Sequence, residues 1–157
     1  MRGGTLALSI PTIAGATAYT WVGANGFSST EQNPLIPHMT TAASGLYQVS
    51  IMVGCDTGFW GYNETMVTVT LPTISSFTSS ANPVPLSGTA TLTGLYVSGD
   101  TWAMTSSLGN SVNPGSGSGS GPAASAYTRN AAAGSDTITL TVTDACGNST
   151  TRTQTIN

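Results

Sequence analysis

The aromatic run Phe59-Trp60-Gly61-Tyr62 is the segment whose residue types best suit contact with a ligand. The sequence predicts that this run lies in a loop between the last two strands of the first half of the chain. Exposed aromatic rings stack on sugars or anchor protein contacts, because each ring buries a large apolar area. Phe59, Trp60 and Tyr62 are therefore predicted to make a binding or subunit contact. Packing against protein is favoured over glycan binding.

Two features invite a catalytic interpretation, and neither supports one. Asp56-Thr57-Gly58 matches the Asp-Thr-Gly motif of aspartic proteases, but those enzymes need two such carboxylates that share one proton. The sequence holds one copy, which is interpreted as a turn. His38 is the only histidine, and the Gly/Ser run 115–121 never gives the Gly-x-Ser-x-Gly phase of a nucleophile elbow. We therefore predict no catalytic residues and no enzymatic activity.

Several oxygen-bearing side chains invite a metal-site interpretation: Asp100, Asp136, Asp144 and Asn148. They lack the dense spacing of a dedicated calcium loop, so roles in turns and at strand ends are favoured. A single histidine with two distant cysteines does not make a zinc site. The sequence therefore predicts no metal and no cofactor.

Two cysteines and two glycosylation patterns leave covalent modification open. Cys55 and Cys146 lie one in each half of the chain. They are compatible with two buried thiols, with a bridge between the halves or with a bond to another chain, and unpaired or intermolecular cysteines are favoured. Asn63-Glu64-Thr65 and Asn148-Ser149-Thr150 fit the N-glycosylation pattern.

The elements that would position these residues are short strands. Trp21 lies in a predicted strand over 17–23, and Trp102 lies in one over 101–106. Each tryptophan precedes a strongly alternating strand, over 45–53 and 136–143 respectively. A mid-strand tryptophan that faces a later alternating strand is typical of the immunoglobulin-like sandwich. The predicted core residues are Leu8, Trp21, Tyr47, Val49, Trp102, Ile138 and Leu140.

We therefore predict an all-β fold of two tandem immunoglobulin-like β-sandwiches. The first domain is expected over residues 1–71 and the second over 72–157, since Pro72 interrupts strand pairing at the boundary. Further strands are expected over 5–10, 35–40 and 64–71. Residues 55–63 and 115–122 are expected to be loops, the second of them flexible.

The composition excludes several partners. Charged residues make up 6% of the 157 residues, lysine is absent, and the formal net charge is -3. A chain with three arginines cannot neutralise a run of phosphates, so nucleic acid is not expected. No apolar run approaches the ~20 residues of a membrane span. A neutral hydroxyl surface opposes self-association weakly, so close neighbours are tolerated.

Short motifs in the first half resemble a known class of repeat. The motifs are Gly4-Thr5-Leu6-Ala7-Leu8, Tyr19-Thr20-Trp21, Gly26-Phe27-Ser28-Ser29, Gln32-Asn33-Pro34 and Ser44-Gly45-Leu46-Tyr47. In order and spacing they resemble the immunoglobulin-like and PKD-like repeats of large secreted bacterial surface proteins, which are common among Bacteroidetes adhesins. The chain departs from the pattern at Ala43, where many immunoglobulin-like domains place an aspartate before the tyrosine corner. Thr143-Asp144-Ala145-Cys146-Gly147-Asn148 is similar to the closing turn of bacterial immunoglobulin-like repeats.

The resemblance implies a non-enzymatic, extracellular structural or adhesive module at a bacterial cell surface. Neighbouring copies or adjacent repeats of the same surface protein are the expected partners. A subunit of a self-assembling extracellular filament is the first alternative. A carbohydrate-binding module that uses residues 59–62 is the second, with glycans as the partner.

Overall fold

The computed structural model describes residues 4–54, 59–97, 101–119, 121–130 and 134–157, and of residues 59–62 it describes the backbone alone. The chain forms two compact units, Met1–Thr70 and Leu71–Asn157. Strands are the main regular structure of both units. Among the described residues, no helix has the length and apolar character needed to cross a membrane.

The described residues of the first unit form six strands in two sheets. In chain order they are β1 (Leu6–Ala7), β2 (Ala16–Val22), β3 (Ser28–Ser29), β4 (Leu35–Ile36), β5 (Gly45–Val53) and β6 (Phe59–Val67). The larger sheet has the order β3-β2-β5-β6, and β1 pairs with β4 in the other layer. All of these pairings are antiparallel. The larger sheet supplies five of the eleven buried residues of the core cluster, Trp21, Tyr47, Val49, Ile51 and Val67.

The core of the first unit lies between these two layers. Trp21 on β2 pairs with Val49 on β5, and both are buried with Leu8 and Tyr47 in one cluster. Each such buried apolar side chain stabilises the fold by about 1.5–3 kcal/mol. The four core residues predicted for this unit all lie in that cluster.

Three predicted strands of the first unit end earlier than expected, and the one predicted over 64–71 ends at Val67. The strand predicted over 5–10 covers only Leu6–Ala7, although Leu6, Leu8 and Ile10 are all buried as the alternation indicates. The Leu8 and Ile10 amides donate to the Pro34 carbonyl and the Asn33 side chain instead of a ladder. The strand predicted over 35–40 ends at Ile36, because Pro37 lacks an amide hydrogen and His38 takes a positive φ of 53°.

The loop predicted over 55–63 is wrong for residues 59–63. These residues open β6, which pairs antiparallel with β5 over its whole length. The register shifts between Ser50 and Met52, where β6 carries one extra residue and forms a β-bulge. The aromatic residues of this stretch favour a strand, and pairing with β5 decides in favour of it.

In the second unit, the part of the chain that the structure describes forms eight strands in two four-stranded sheets. They are β7 (Thr73–Ser79), β8 (Thr89–Val97), β9 (Thr101–Ser106), β10 (Ser111–Asn113), β11 (Ser116–Ser118), β12 (Ala123–Thr128), β13 (Asp136–Thr143) and β14 (Ser149–Ile156). The two sheets have the orders β10-β12-β8-β7 and β11-β9-β13-β14. Ile138, Leu140 and Val142 of β13 lie in the same buried cluster as Trp102.

The flexible loop predicted over 115–122 is wrong for residues 116–118. Ser116–Ser118 form β11, which pairs with β9 and places Gly117 opposite Trp102. A Cβ atom at Gly117 would lie 2.7 Å from the indole ring, so only glycine lets the strand approach so closely. A segment of low-complexity composition thus forms a strand that covers the core tryptophan.

The predicted fold class is confirmed: the chain is all-β and forms two tandem immunoglobulin-like sandwiches. In each unit the tryptophan strand pairs with the alternating strand that follows it in the chain, β2 with β5 and β9 with β13. Strands from both layers enclose a single apolar core in each unit.

Candidate functional site: an open sheet edge and a neutral surface

Strand β6 forms an edge of the larger sheet in the first unit. Its nine residues pair with β5 on one side, and no strand of the described chain pairs with the other side. The backbone of the predicted contact residues Phe59, Trp60 and Tyr62 belongs to this edge. Their side chains lie outside what the structure describes. An unpaired strand edge presents a row of amide and carbonyl groups that a further strand can pair with.

A groove runs beside β6, between this strand and the segment that contains β1. One part, of about 480 Å³, is lined by Leu6, Leu8, Trp21 and Val67 among others. A smaller part of about 80 Å³ reaches Tyr47 and Asn63. Ser9, Trp21 and Thr65 line both parts, so the groove is continuous. The sandwich therefore stays open along its β6 side.

The groove exists because the segment that follows β1 is hydrogen-bonded to residues 32–34 and not to β6. The Leu8 amide donates to the Pro34 carbonyl over 3.0 Å, and the Ile10 amide donates to Asn33 Oδ1 over 3.0 Å. Gln32 Nε2 donates to the Ile10 carbonyl over 3.0 Å. The Gln32-Asn33-Pro34 motif thus holds this segment against the β4 side of the sandwich, away from β6. The motif by itself does not indicate this role.

The Tyr47 side chain fixes the start of β5 in the larger sheet. Its hydroxyl donates to the Ala43 carbonyl over 2.8 Å, the hydrogen bond of a tyrosine corner. Burial raises the pKa of this phenol. A Cβ at Gly23 would lie 2.2 Å from the Tyr47 ring, so the glycine is needed for this packing. The phenol is therefore a structural group.

The solvent-facing side of the β6 sheet is apolar near the edge. Met66 of β6 is 69% exposed and pairs with Leu46, which is also exposed, and Val22 lies on the same side of the sheet. Glu64 is the only charged residue of β6, and it accepts a hydrogen bond from Gln48 over 3.3 Å. Strand β6 thus combines an open backbone edge with a nearly neutral surface.

Two charged side chains of the second unit, Asp136 and Arg129, lie inside the fold. Asp136 is fully buried and accepts five hydrogen bonds: Ser106 at 2.6 Å, Ser107 at 3.0 Å, the Leu108 amide at 3.2 Å, Asn110 at 2.7 Å and Tyr127 at 3.0 Å. Arg129 is also buried and donates to the carbonyls of Val84 and Gly134. Hydrogen bonds thus satisfy both of these buried charged groups.

The hydrogen bonds determine the protonation state of Asp136. Burial alone would raise the pKa of this carboxyl, but the bonds from Ser106, Asn110, Ser107 and the Leu108 amide outweigh it and lower the pKa to about 2. Burial, together with the same carboxylate, raises the pKa of Tyr127. Asp136 is thus an ionised acceptor around which donors from β9, β12 and the turn after β9 converge.

Asp144 organises the turn between β13 and β14. Its Oδ1 accepts from the amides of Cys146 and Asn148 at 3.0 and 2.9 Å, and its Oδ2 accepts from the Asn148 side chain at 3.0 Å. Burial and the Asp144 charge raise the pKa of the Cys146 thiol. The carboxylate is thus engaged in a turn. The Asn148 sequon is buried, whereas Asn63 is exposed on β6.

One solvent-facing side of the second unit consists almost entirely of hydroxyl side chains. We call it the threonine face, and the strand registers align its members across β11, β9, β13 and β14. It comprises Thr101, Ala103, Thr105, Ser116, Ser118, Thr137, Thr139, Thr141, Thr143, Ser149, Thr151, Thr153 and Thr155. Cross-strand threonine pairs stabilise a sheet through side-chain contact and hydrogen bonding. This face carries no charge.

Two sheet edges of the second unit are short, and Arg152 lies at the other two. The edge strands β10 and β11 have three residues each. At the β7 edge, Arg152 Nη1 donates to the carbonyls of Ile74 and Ser75 at 3.1 and 2.8 Å. Arg152 itself lies on β14, the fourth edge, and places a positive charge there. Short strands and edge cations both disfavour pairing with another chain.

The structure describes one of the remaining candidate residues, His38. His38 is exposed in a bend after β4. Cys55, Asp56-Thr57-Gly58 and Asp100 lie outside the described residues. The glycan-binding alternative assumed an aromatic loop, and that assumption is corrected by the strand at Phe59–Val67. In the parts of the chain that the structure describes, no group of three His, Cys, Asp or Glu side chains is placed to hold a metal.

Comparisons with known proteins give matches of structure only. No family model matches the sequence, and no curated protein matches it significantly. The N-terminal eight Ig domains of Down Syndrome Cell Adhesion Molecule align at 18% identity and a TM-score of 0.42, over 99% of this chain and 22% of that chain. The chain thus spans less than a quarter of that structure.

Two further structures align over 99% of this chain. The amphioxus IgVJ-C2 molecule matches at 16% identity and a TM-score of 0.42, over 97% of its own length. The fibronectin(III)-like modules of Clostridium thermocellum CbhA match at 15% identity and a TM-score of 0.40, over 85% of their length. At such scores, the fold assignment rests on the strand topology of the chain itself.

Proposed function

We propose that the chain is a non-enzymatic, extracellular structural or adhesive module and a repeat of a bacterial surface protein. The observation that carries this proposal is the distribution of charge in the second unit. Asp136, Asp144 and Arg129 are buried, and the threonine face is neutral. A rigid sandwich with such a surface can stand close to neighbouring molecules without electrostatic repulsion.

The state of the ionisable groups supports a structural role over a catalytic one. Asp136 and Asp144 accept hydrogen bonds from donors of their own unit, and the Tyr47 hydroxyl is used in the tyrosine corner. Groups committed in this way stabilise the fold. The bacterial and cell-surface part of the proposal is supported by the resemblance of the Gly4–Leu8, Gln32–Pro34 and Thr143–Asn148 motifs to repeats of secreted surface proteins.

A single-molecule pulling experiment tests the structural role. The chain is placed between marker domains and stretched from its ends. We expect two separate unfolding events, one for residues 1–70 and one for 71–157, with contour-length gains of about 25 and 31 nm at about 3.6 Å per residue. Unfolding without measurable resistance would contradict a structural role.

A second experiment addresses location and activity. Antibodies against the chain are expected to label intact cells of the source organism. Labelling that requires permeabilised cells would contradict the extracellular assignment. Turnover of ester, glycoside or peptide substrates by the purified chain would contradict the non-enzymatic assignment.

A further inference from the structure

We propose that β6 pairs with β6 of a second copy of this chain, antiparallel and about a two-fold axis at Thr65. This inference rests on the proposed structural function and names its partner. Strand addition joins two sheets through main-chain hydrogen bonds, while alternate side chains give the selectivity. The two larger sheets of the first units would form one continuous sheet of eight strands.

The first step of the argument is that β6 is a long edge whose outer side is open beyond its bulge. It is nine residues long, it contains no proline or lysine, and no strand of the described chain pairs with its outer side. The second unit shortens its edges or places Arg152 on them. Long uncovered edges pair readily with other strands.

The second step is that the groove leaves room for an incoming strand. The Gln32-Asn33-Pro34 motif holds the β1 segment away from β6, and about 480 Å³ remains between them. Side chains on one face of an added strand can enter this space beside Leu6 and Leu8. In a symmetric pair, these are the second copy's exposed inward residues, Asn63 and Thr65, whereas Val67 packs in the core of its own copy. Their polar side chains suit Ser9 and Thr65, which line both parts of the groove.

The third step selects the register. Directly opposite residues in an antiparallel pair lie on the same side of the sheet, so the axis must pass through a residue of β6. Beyond the bulge, the regular part of β6 runs from residue 62 to residue 67. An axis at Glu64 would place two carboxylates opposite each other, which is unfavourable. An axis at Thr65 pairs Thr65 with itself and Glu64 with Met66 of the other copy.

The fourth step selects a second copy as the occupant. The edge carries one charge, Glu64, and offers nothing for a strongly acidic or basic partner to pair with. A neutral edge tolerates its own copy, and the exposed Met66 and Leu46 extend the contact on the outer side. Because one strand pair is a small interface, we expect a dissociation constant in the micromolar range or weaker. Repeated display of such modules on a surface would strengthen it by avidity.

The test compares two substitutions of one exposed residue by sedimentation velocity of the full chain. Met66→Glu places a second carboxylate opposite Glu64 at both symmetric positions and should weaken the dimer about tenfold. Met66→Lys places a cation there and should leave the dimer at least as strong as the original. Met66 is 69% exposed, so neither change should alter unfolding. Thr153→Glu and Thr153→Lys on the β14 edge are matched controls without effect on association.

A second measurement locates the contact. Hydrogen exchange at the alternate amides of residues 63–67 that point away from β5 should slow as protein concentration rises, while exchange at β14 should not. A chain that stays monomeric up to about 1 mM would overturn the proposal. Equal weakening by Met66→Glu and Met66→Lys would also overturn it, because the contact would then lack this register. Neither result affects the pulling or labelling experiments, so the proposed function would stand or fall separately.

Discussion

Both units are sandwiches with few charged residues, but they differ in where those residues lie and in how their sheet edges end. The first unit exposes Glu31 and Glu64 and leaves the long β6 edge open. The second unit buries Asp136, Asp144 and Arg129 and covers or shortens its edges. The comparison indicates that low charge alone does not decide whether a sheet edge is open to a further strand. What differs is what the charge does at the edge, since Arg152 donates to the β7 carbonyls whereas Glu64 leaves the outer backbone of β6 open.

The polar interior differs just as much. In the first unit, one neutral hydrogen bond from Tyr47 to the Ala43 carbonyl fastens the sheet end. In the second unit, an ionised carboxylate draws donors from β9, β12 and the turn between β9 and β10. A charged acceptor strengthens each hydrogen bond but leaves every donor unsatisfied if it is removed. The second unit should therefore be the more sensitive of the two to a single substitution and to acid.

The largest expected effect comes from Asp136→Asn. The amide replaces an acceptor by a donor that faces Ser106, Asn110 and Tyr127, so the free energy of unfolding of the second unit should fall by about 3 kcal/mol. Urea unfolding, with hydrogen exchange along β13 to identify the unit, measures the loss. Glu31→Gln on the surface of the first unit serves as the control and should change nothing. A loss below about 1 kcal/mol would show that the network is not a stabilising one.

Acid should separate the two units. The pKa of Asp136 is about 2 in the fold, below about 3.9 for an unfolded aspartate. The ionised group therefore stabilises the second unit fully above about pH 4, and this contribution disappears as the pH falls towards about 2. We expect a loss of about 2 kcal/mol over that window in the original chain and none from this source in Asp136→Asn. Equal acid sensitivity of the variant and the original chain would contradict the assignment.

Tyr47→Phe should have a moderate effect confined to the first unit. It removes the hydrogen bond to the Ala43 carbonyl but keeps the ring, whose centroid lies 5.7 Å from that of Phe27, so we expect a loss of about 1 kcal/mol. Tyr19→Phe, at a half-buried position of the same sheet, is the matched control. If Tyr47→Phe lowered the free energy of unfolding as much as Asp136→Asn, the inferred difference between the two polar interiors would be wrong.

Arg152→Met should have the smallest effect on stability and a clear effect on association. The methionine keeps the aliphatic contact but leaves the Ile74 and Ser75 carbonyls without their guanidinium donor. For an exposed side chain, we expect a loss below about 1 kcal/mol. Sedimentation of Arg152→Met combined with Met66→Glu should reveal new self-association through the second unit. A double variant that stays monomeric would show that Arg152 does not prevent strand pairing at the edges of the second unit.

Part of the site is predictable from the sequence and part is not, for reasons visible in particular residues. The aromatic run at 59–62 is predicted as a contact segment, but its placement in a loop is wrong, since strand pairing with β5 is a long-range property. The strand at 116–118 escapes prediction because nothing local in a Gly/Ser run shows that Gly117 faces an indole. From the sequence, Asp136 can be placed only at the end of a strand. Its hydrogen-bond donors cannot be identified, because one of them, Ser106, lies 30 residues away in the chain.

The sequence alone determined the class of fold, because side chains alternate with a period of two along any strand whatever its partner. Local patterns thus predict Leu8, Trp21, Tyr47, Val49, Trp102, Ile138 and Leu140 as core residues, and all of them are buried. The low charge and the absence of lysine are likewise properties of composition. The tertiary structure decided which strands lie at the edges, which carboxylate is enclosed and how the threonines align into one face. Those features depend on pairing and register between distant segments, which no local pattern of residues specifies.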